Sequence, residues 1–196
     1  MPKRVDHEER RRQITDAVCR ITVKGGLASA TFREVAAEAG VSVRLVQYYF
    51  GTKDQLLLAT QQHVAQRASR RIHDRVANVP DTPRAVLRAI LTSFIPDDDE
   101  SRENMLMFVA LHTASLVDPT LAREEARMVP DALHTTVERQ IRRVRLRTGV
   151  DPKREAAILV SVVPSQAQAV LDGSQTARRA TRVVHYAIDR ALGVLT

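Results

Sequence analysis

The side chains best equipped for chemistry lie in one short stretch, residues 31–53, TFREVAAEAGVSVRLVQYYFGTK. Arg44 carries a forked donor that pairs with guanine O6 and N7, and Gln47 an amide that pairs with adenine N6 and N7. The plainer reading of each is a surface side chain that touches phosphate alone. Tyr48 and Tyr49 suit phosphate or a thymine methyl, although one of them equally packs in a small core. Phe50 reads as core. These groups recognise base edges and phosphates; they do not break bonds.

Residues suited to catalysis do not assemble elsewhere. Cys19 has no nearby His or base and reads as a small buried hydrophobe. The six histidines (7, 63, 73, 112, 134 and 185) show no HxxxH or CxxC spacing, so no metal site and no cofactor are expected. Asp97, Asp98, Asp99 and Glu100 read as a solvated loop and helix cap rather than a cation site. No glycine-rich phosphate loop or GxSxG occurs.

Positioning the recognition groups requires two short helices. Thr31 and Glu34 form a capping box that starts one, with Phe32, Val35, Ala36 and Ala39 on its inner face. Gly40 suits the left-handed conformation that ends a helix, and Ser42 caps the next. A helix, a glycine turn and a second helix make a helix-turn-helix, whose second helix fits a major groove. A first helix is expected over residues 7–24, with Asp6 and Glu9 as its capping pair. Ile14, Ala17, Val18 and Ile21 form its inner face, and Gly25-Gly26 its end.

The charge distribution agrees. The chain has 196 residues and a formal charge of +7. Residues 1–75 hold 14 Lys/Arg against 8 Asp/Glu, whereas residues 76–196 hold 16 against 15. The basic excess sits with the helix-turn-helix, as a phosphate-binding module joined to a neutral partner would show. Solvated arginine-rich helix faces are the bland alternative. Arg10, Arg11 and Arg12 read either as backbone or minor-groove contacts or as a solvated helix start.

Nothing points to a membrane or to export. No run approaches the roughly 20 apolar residues of a span. The opening MPKRVDHEERRRQ has no apolar segment behind its charges, so it is not read as a secretory signal. One cysteine fits a reducing compartment. A cytoplasmic protein is expected.

The whole chain reads as helix, with no internal repeat or low-complexity tract. Even the apolar run Ile158–Val163, set among Ala and Gln, is better read as helix than strand. A long helix runs from Lys53 to about Val79 and is stopped by Pro80 and Pro83. Further helices are expected over Arg84–Ile95, Arg102–Val117, Leu121–Thr148 (bent or divided at Pro130), Lys153–Leu171 and Gln175–Leu192. The expected fold is all-α: a three-helix helix-turn-helix DNA-binding domain over 1–53 and a further helical domain over 54–196.

The motif resembles the TetR family of bacterial transcriptional regulators. The matching residues are Thr31, Val35-Ala36, Ala39-Gly40-Val41-Ser42, Tyr48-Tyr49-Phe50, and Lys53 with Leu56, within about residues 10–60. Asp118-Pro119-Thr120-Leu121-Ala122 also resembles a loop of BetI-like members. The resemblance implies that the second helix of the motif enters the major groove while Thr31 and Lys53 hold phosphates. The plain readings of those two are a helix cap and a solvated lysine. Arg33, Ser42 and Val43 complete the expected DNA-contacting set with Arg44, Gln47, Tyr48 and Tyr49. Many members carry a small residue where Arg44 stands and a tyrosine where Gln47 stands, so the operator sequence does not carry over.

The resemblance also implies that 54–196 is a ligand-binding and dimerisation domain, with an effector pocket between its helices. Met105, Phe108, Val109, His112 and Leu116 share one helical face, which is core or pocket, and Leu91 and Phe94 join it from the preceding helix. Apolar stripes at Leu159, Val160, Val163 and Ala167, and at Val184 and Ile188, suit a four-helix seam with a two-fold mate. The expected function is a homodimeric repressor of double-stranded DNA, released by a small molecule. An activator of the same family and a helical small-molecule-binding protein without a DNA role are the other readings.

Overall fold

The computed structural model describes residues 2–119, 122–123, 131–146 and 149–193. Among them every regular element is helical, apart from turns and bends. The helices are α1 (Pro2–Gly25), α2 (Phe32–Ala39), α3 (Val43–Phe50), α4 (Lys53–Ala77), α5 (Pro83–Thr92), α6 (Asp99–Ser115), α7 (Asp131–Arg142), α8 (Pro152–Leu171) and α9 (Ala177–Ala191). A short 3₁₀ turn, Leu27–Ser29, follows α1.

Helix α1 begins five residues earlier than its sequence suggests, so Asp6 lies inside the helix and not at its start. Proline is tolerated in a first helical turn, and the Arg, Glu and Gln that follow are good helix formers. Pro83 likewise opens α5 rather than closing α4, with Thr82 Oγ1 accepting from the Ala85 N–H at 3.3 Å. Of the helix expected over Leu121–Thr148, α7 accounts for Asp131–Arg142; Thr120, Leu121, Pro130 and Thr148 lie outside the described residues.

The chain packs as two compact units, and both α4 and α6 contribute to each. The first gathers α1 to α4 as far as Arg67, with the later half of α6 from Leu106. Its core joins Ile14, Ala17 and Val18 of α1, Val35, Ala36 and Ala39 of α2, and Val46 and Phe50 of α3. Leu56 and Leu57 of α4 complete it, so the head's packing reaches past residue 53. A smaller cluster buries Cys19 with Val64, Met107 and Leu111.

A polar tie crosses this unit from α4 to α1. The His63 ring nitrogen Nε2 lies 2.6 Å from Asp16 Oδ1, and Arg67 Nη1 lies 3.7 Å from the same oxygen. Burial pushes the Asp16 carboxyl up. The hydrogen bond with His63 and the charges of His63, Arg67 and Arg20 outweigh it and hold the group below its ordinary value.

The second unit is built on α5, α7, α8 and α9. Leu87, Ile90, Leu91 and Ile95 meet Val137, Ile141, Leu159, Val163, Ala167, Val184 and Ile188 in one core. This corrects the expected dimer seam. Leu159, Val163, Ala167, Val184 and Ile188 are buried inside the subunit, and Val160 is half-buried against the same core. Periodicity shows that a face is covered, and here the covering comes from helices of the same chain. The opposite faces of α8 and α9 carry the exposed apolar groups: Ile158 is 54% exposed, Tyr186 58% and Val183 37%.

Helix α6 is corrected as well. Asn104, Met105, Met107, Leu111 and Ser115 are its buried positions, whereas Phe108, Val109, His112 and Leu116 are exposed. Between 105 and 111 the helix is apolar around most of its circumference, so spacing alone offers two stripes. The buried one has polar ends.

The acidic segment before α6 is a cap and an ion-pair node. Asp98 Oδ1 accepts the Ser101 N–H at 2.7 Å, and Ser101 Oγ accepts the N–H groups of Asp97 and Asp98 at 3.1 Å. Arg71 and Arg75 of α4 pair with Asp97, and Arg71 also with Asp98. The backbone hydrogen bond from Ser101 leads the contributions that lower the Asp98 carboxyl from 3.8 to about 2. A depressed carboxylate stabilises the fold above its unfolded value, and that contribution drains away as pH falls through the folded one. In an acid series of thermal melts, the gap between native protein and Asp98→Asn should hold steady above roughly pH 5 and shrink between roughly pH 4 and 2. A gap independent of pH would remove the charge from this account.

Candidate nucleic-acid interface

Local signals build the helix-turn-helix. Thr31 Oγ1 accepts the Glu34 N–H at 3.2 Å and starts α2. Gly40 ends it with φ 65° and ψ 34°, in the left-handed region. The Val41 N–H returns to Ala36 O at 2.9 Å and the Gly40 N–H to Ala37 O at 3.2 Å, satisfying carbonyls that the helix leaves over. Ser42 Oγ then accepts the Leu45 N–H at 3.2 Å and starts α3. A further capping box is one that sequence reasoning missed, although its signal is local. Thr52 and Gln55 exchange backbone-to-side-chain bonds at 3.2 and 3.3 Å and open α4 at Lys53.

Helix α3 is two-sided. Val46 and Phe50 face the core, Leu45 and Tyr49 are half-buried, and Val43, Arg44, Gln47 and Tyr48 are exposed. At helical spacing, 44, 47 and 48 share one outward face. The two tyrosines therefore separate. Tyr48 is 73% exposed. The Tyr49 ring meets His7 and Tyr48 edge-on, each at 5.4 Å.

Helix α1 grips the ends of both motif helices. Gln13 Nε2 donates to Ala39 O at 2.8 Å, and Arg11 Nη1 donates to Tyr49 O at 2.8 Å. The Arg11 guanidinium also lies 4.6 Å from the Phe50 ring centroid. A cation at a helix C-terminus meets the negative end of its dipole. Arg11 thus anchors α3, a role that a partner 38 residues away in sequence could not reveal. Arg12 pairs with Glu8 and Glu9, and Arg10 donates to Gln13.

Two further cations of α1 are paired as well. Arg20 and Lys24 pair with Glu38. The Arg20 hydrogen bond leads the contributions holding the Glu38 carboxyl below its usual range. Among the described residues, no carboxylate pairs with Arg33, Arg44 or Lys53, and all three are exposed, as are Thr31 and Ser42. The fold brings the sequence-selected residues of this surface into one small region, α2 to the start of α4, with hydrogen-bonding groups outward and no internal neutralisation.

The six residues selected for an effector pocket do not gather in the same way. Leu91 and Met105 are buried in the core of the second unit, and Phe94 is half-buried against it. Phe108, Val109 and His112 are exposed on the part of α6 that belongs to the first unit, with the Phe108 and His112 rings stacked at 5.9 Å. Among the described residues no group of His, Cys, Asp and Glu is placed to hold a metal ion, and no helix is long and apolar enough to cross a membrane.

Comparison with known proteins bears on both units. Residues 14–60 match the family "Bacterial regulatory proteins, tetR family", and residues 83–193 match "BetI-type transcriptional repressor, C-terminal". The HTH-type transcriptional regulator PksA of Bacillus subtilis is 34% identical over 110 residues, 56% of this chain and 53% of that protein. The HTH-type transcriptional regulator BetI of Burkholderia mallei is 38% identical over 123 residues, 63% of each chain. The matches therefore span between about half and just under two thirds of those relatives. A TetR-family regulator from Rhodococcus sp. superposes with a TM-score of 0.81 at 24% identity, covering 94% of this chain and 99% of that one. A transcriptional regulator from Saccharomonospora viridis, solved in complex with choline, gives 0.82 at 19% identity, covering 93% and 96%. At such identities the structures show a shared fold.

The turn between α2 and α3 has a direct test. Nothing lies within 4 Å of a Cβ built on Gly40, so only its positive φ opposes a side chain. Gly40→Ala should lower stability by about 1–2 kcal/mol, and Gly40→Asn by clearly less, because asparagine tolerates this region. Urea unfolding of the two variants measures the difference; equal losses would mean that the backbone angle is not what selects glycine there.

Proposed function

The chain belongs to the TetR family of bacterial regulatory proteins, and we propose that it is a transcriptional repressor that binds a pseudo-palindromic operator as a homodimer and leaves it when a small molecule binds. The observation that carries this reading is the outward face of α3, with Arg44, Gln47 and Tyr48 exposed on a helix whose back is locked in the core. Its relatives are named as transcriptional regulators, not as enzymes. In this reading α3 lies in the major groove. Arg44 and Gln47 address base edges, Tyr48 and Val43 lie against the groove wall, and Tyr49 supports them from behind. Thr31, Arg33, Ser42 and Lys53 hold the phosphates on either side.

Two such heads about 34 Å apart match successive major grooves on one side of the duplex. The exposed apolar faces of α8 and α9 support a two-fold mate. Ile158, Val162, Val183 and Tyr186 line a groove of about 420 Å³ there, beside Glu155 and Arg190. The seam thus uses these residues, not the buried stripes. Release follows if an effector favours a conformer whose heads no longer fit the operator spacing, and only as far as its preference between conformers allows. A cytoplasmic location comes with this reading.

Binding to operator DNA should fall steeply and linearly on a plot of log affinity against log salt concentration, and a flat plot would rule out phosphate-driven contact. Arg44→Ala and Gln47→Ala should each weaken the preferred site by about 1–3 kcal/mol and relax sequence choice. Lys53→Ala should weaken all sequences alike and make the salt slope shallower by about one per head. Identical behaviour of the three variants in a gel-shift panel of mutated operators would remove α3 from the groove.

A further inference from the structure

The second unit carries a groove of about 620 Å³ that none of these roles uses. It lies between the last turns of α4, helix α5 and helix α9. Arg75, Arg84, Arg88 and His185 line it, and Val79, Ala85 and Ala89 give it an apolar wall. Such a volume is that of a small-molecule site.

The charges here are unevenly matched. Arg84 Nε and Nη2 each hold one oxygen of Asp189 at 2.7 Å. Arg88 Nη2 reaches the same two oxygens at 3.1 and 2.8 Å. Two guanidiniums therefore share one buried carboxylate, and one positive charge is left over. Arg75 is paired with Asp97, which it shares with Arg71, while Arg71 also holds Asp98, so that set balances. Asp74 is the remaining acid of the wall; it is exposed, as Arg84 is, so solvent and salt screen both, whereas Arg88 is half-buried and keeps the surplus charge. His185 is pushed down by burial and by both arginines, against the opposing pull of Asp189. At neutral pH it is an uncharged hydrogen-bonding group.

A quaternary ammonium such as choline does not suit this site. It is held by aromatic faces. Beyond residue 67 the Phe, Tyr and Trp residues of this chain are Phe94, Phe108 and Tyr186, and none of them lines the groove. One surplus guanidinium beside an apolar wall selects the opposite charge, carried once and attached to a hydrocarbon.

We infer that this groove binds a small amphipathic carboxylate, its head between Arg84, Arg88 and His185 and its body on Val79, Ala85 and Ala89. Calling that acid the effector rests on the proposed function; its binding does not.

Isothermal titration calorimetry of the full chain without DNA tests the site with four probes: hexanoate, hexanamide, choline and inorganic phosphate. Hexanoate should bind saturably, and the other three at least about tenfold more weakly. Ala85→Leu fills the groove and leaves every arginine in place; Arg88→Met removes the surplus charge and leaves Arg84 on Asp189. Each should weaken hexanoate at least about tenfold. Should Arg88→Met unfold, Ala85→Leu decides. Absence of hexanoate binding, equal binding of hexanamide or phosphate, or full affinity in Ala85→Leu overturns the assignment. Operator binding is then measured with and without hexanoate. Bound hexanoate that leaves DNA affinity unchanged overturns the effector role. A chain that binds no DNA at all counts against the proposed function and leaves the calorimetry standing.

Discussion

An eight-residue helix does not hold its shape alone in water, because nucleation fixes several residues for very few hydrogen bonds. Helix α3 exists because Val46 and Phe50 are buried against α1 and α2, each contributing about 1.5–3 kcal/mol of apolar burial. That burial also sets the helix's rotation, since fixing residues 46 and 50 inward turns 44, 47 and 48 outward. The surface chemistry is thus a by-product of core packing. Arg11 and Gln13 complete the fixation by satisfying carbonyls at the ends of α3 and α2. A head with a looser core would present the same side chains in no fixed direction.

Arginine is used in two ways in this chain. In the second unit, Arg71, Arg75, Arg84, Arg88 and Arg143 are tied to Asp97, Asp98, Asp189 and Asp81. The hydrogen bond from Arg143 leads what holds the Asp81 carboxyl below its ordinary range, and Asp189 is lowered chiefly by that from Arg84. The Asp81 pair is exposed and serves mostly to fix neighbours in register, whereas Asp189 is a buried carboxylate that needs its arginine partners. On the outer face of α2 to the start of α4, Arg33, Arg44 and Lys53 have no carboxylate partner among the described residues. The basic excess over residues 1–75 is thus divided in three dimensions: Arg12, Arg20, Arg71 and Arg75 are paired with carboxylates, and Arg33 and Arg44 are not. Unpaired cations are the ones that can displace counterions from a polyanion.

How much of this is legible in the sequence follows from the range of each interaction. The caps at Thr31 and Ser42 and the turn at Gly40 are local, so residue types three apart are enough to locate α2 and α3. The outward set Arg44, Gln47 and Tyr48 follows from the same spacing. Thr52 and Gln55 are equally local, but they sit between two helices already bounded by stronger signals. Illegible features depend on partners far along the chain. Arg84 and Asp189 are 105 residues apart, and no pattern around either announces the other. On α8 and α9 the apolar stripes show that a face is covered but not that α5 and α7 of the same chain cover it. On α6 two apolar stripes compete, and the buried one includes Asn104 and Ser115, polar residues that a hydrophobic template discounts.

The proposed regulation demands less of the α4–α5–α9 groove than tight binding would. A ligand with equal affinity for two conformers shifts nothing, however strongly it binds. What counts is the ratio of its affinities, and in a symmetric dimer two sites multiply that ratio. A tenfold preference at each groove, about 1.4 kcal/mol, gives a hundredfold change for the pair. In the proposed regulation that preference comes from one surplus guanidinium whose hold on Asp189 differs between the two conformers. Arg88, held by Asp189 only in common with Arg84, is the side chain best placed to make it.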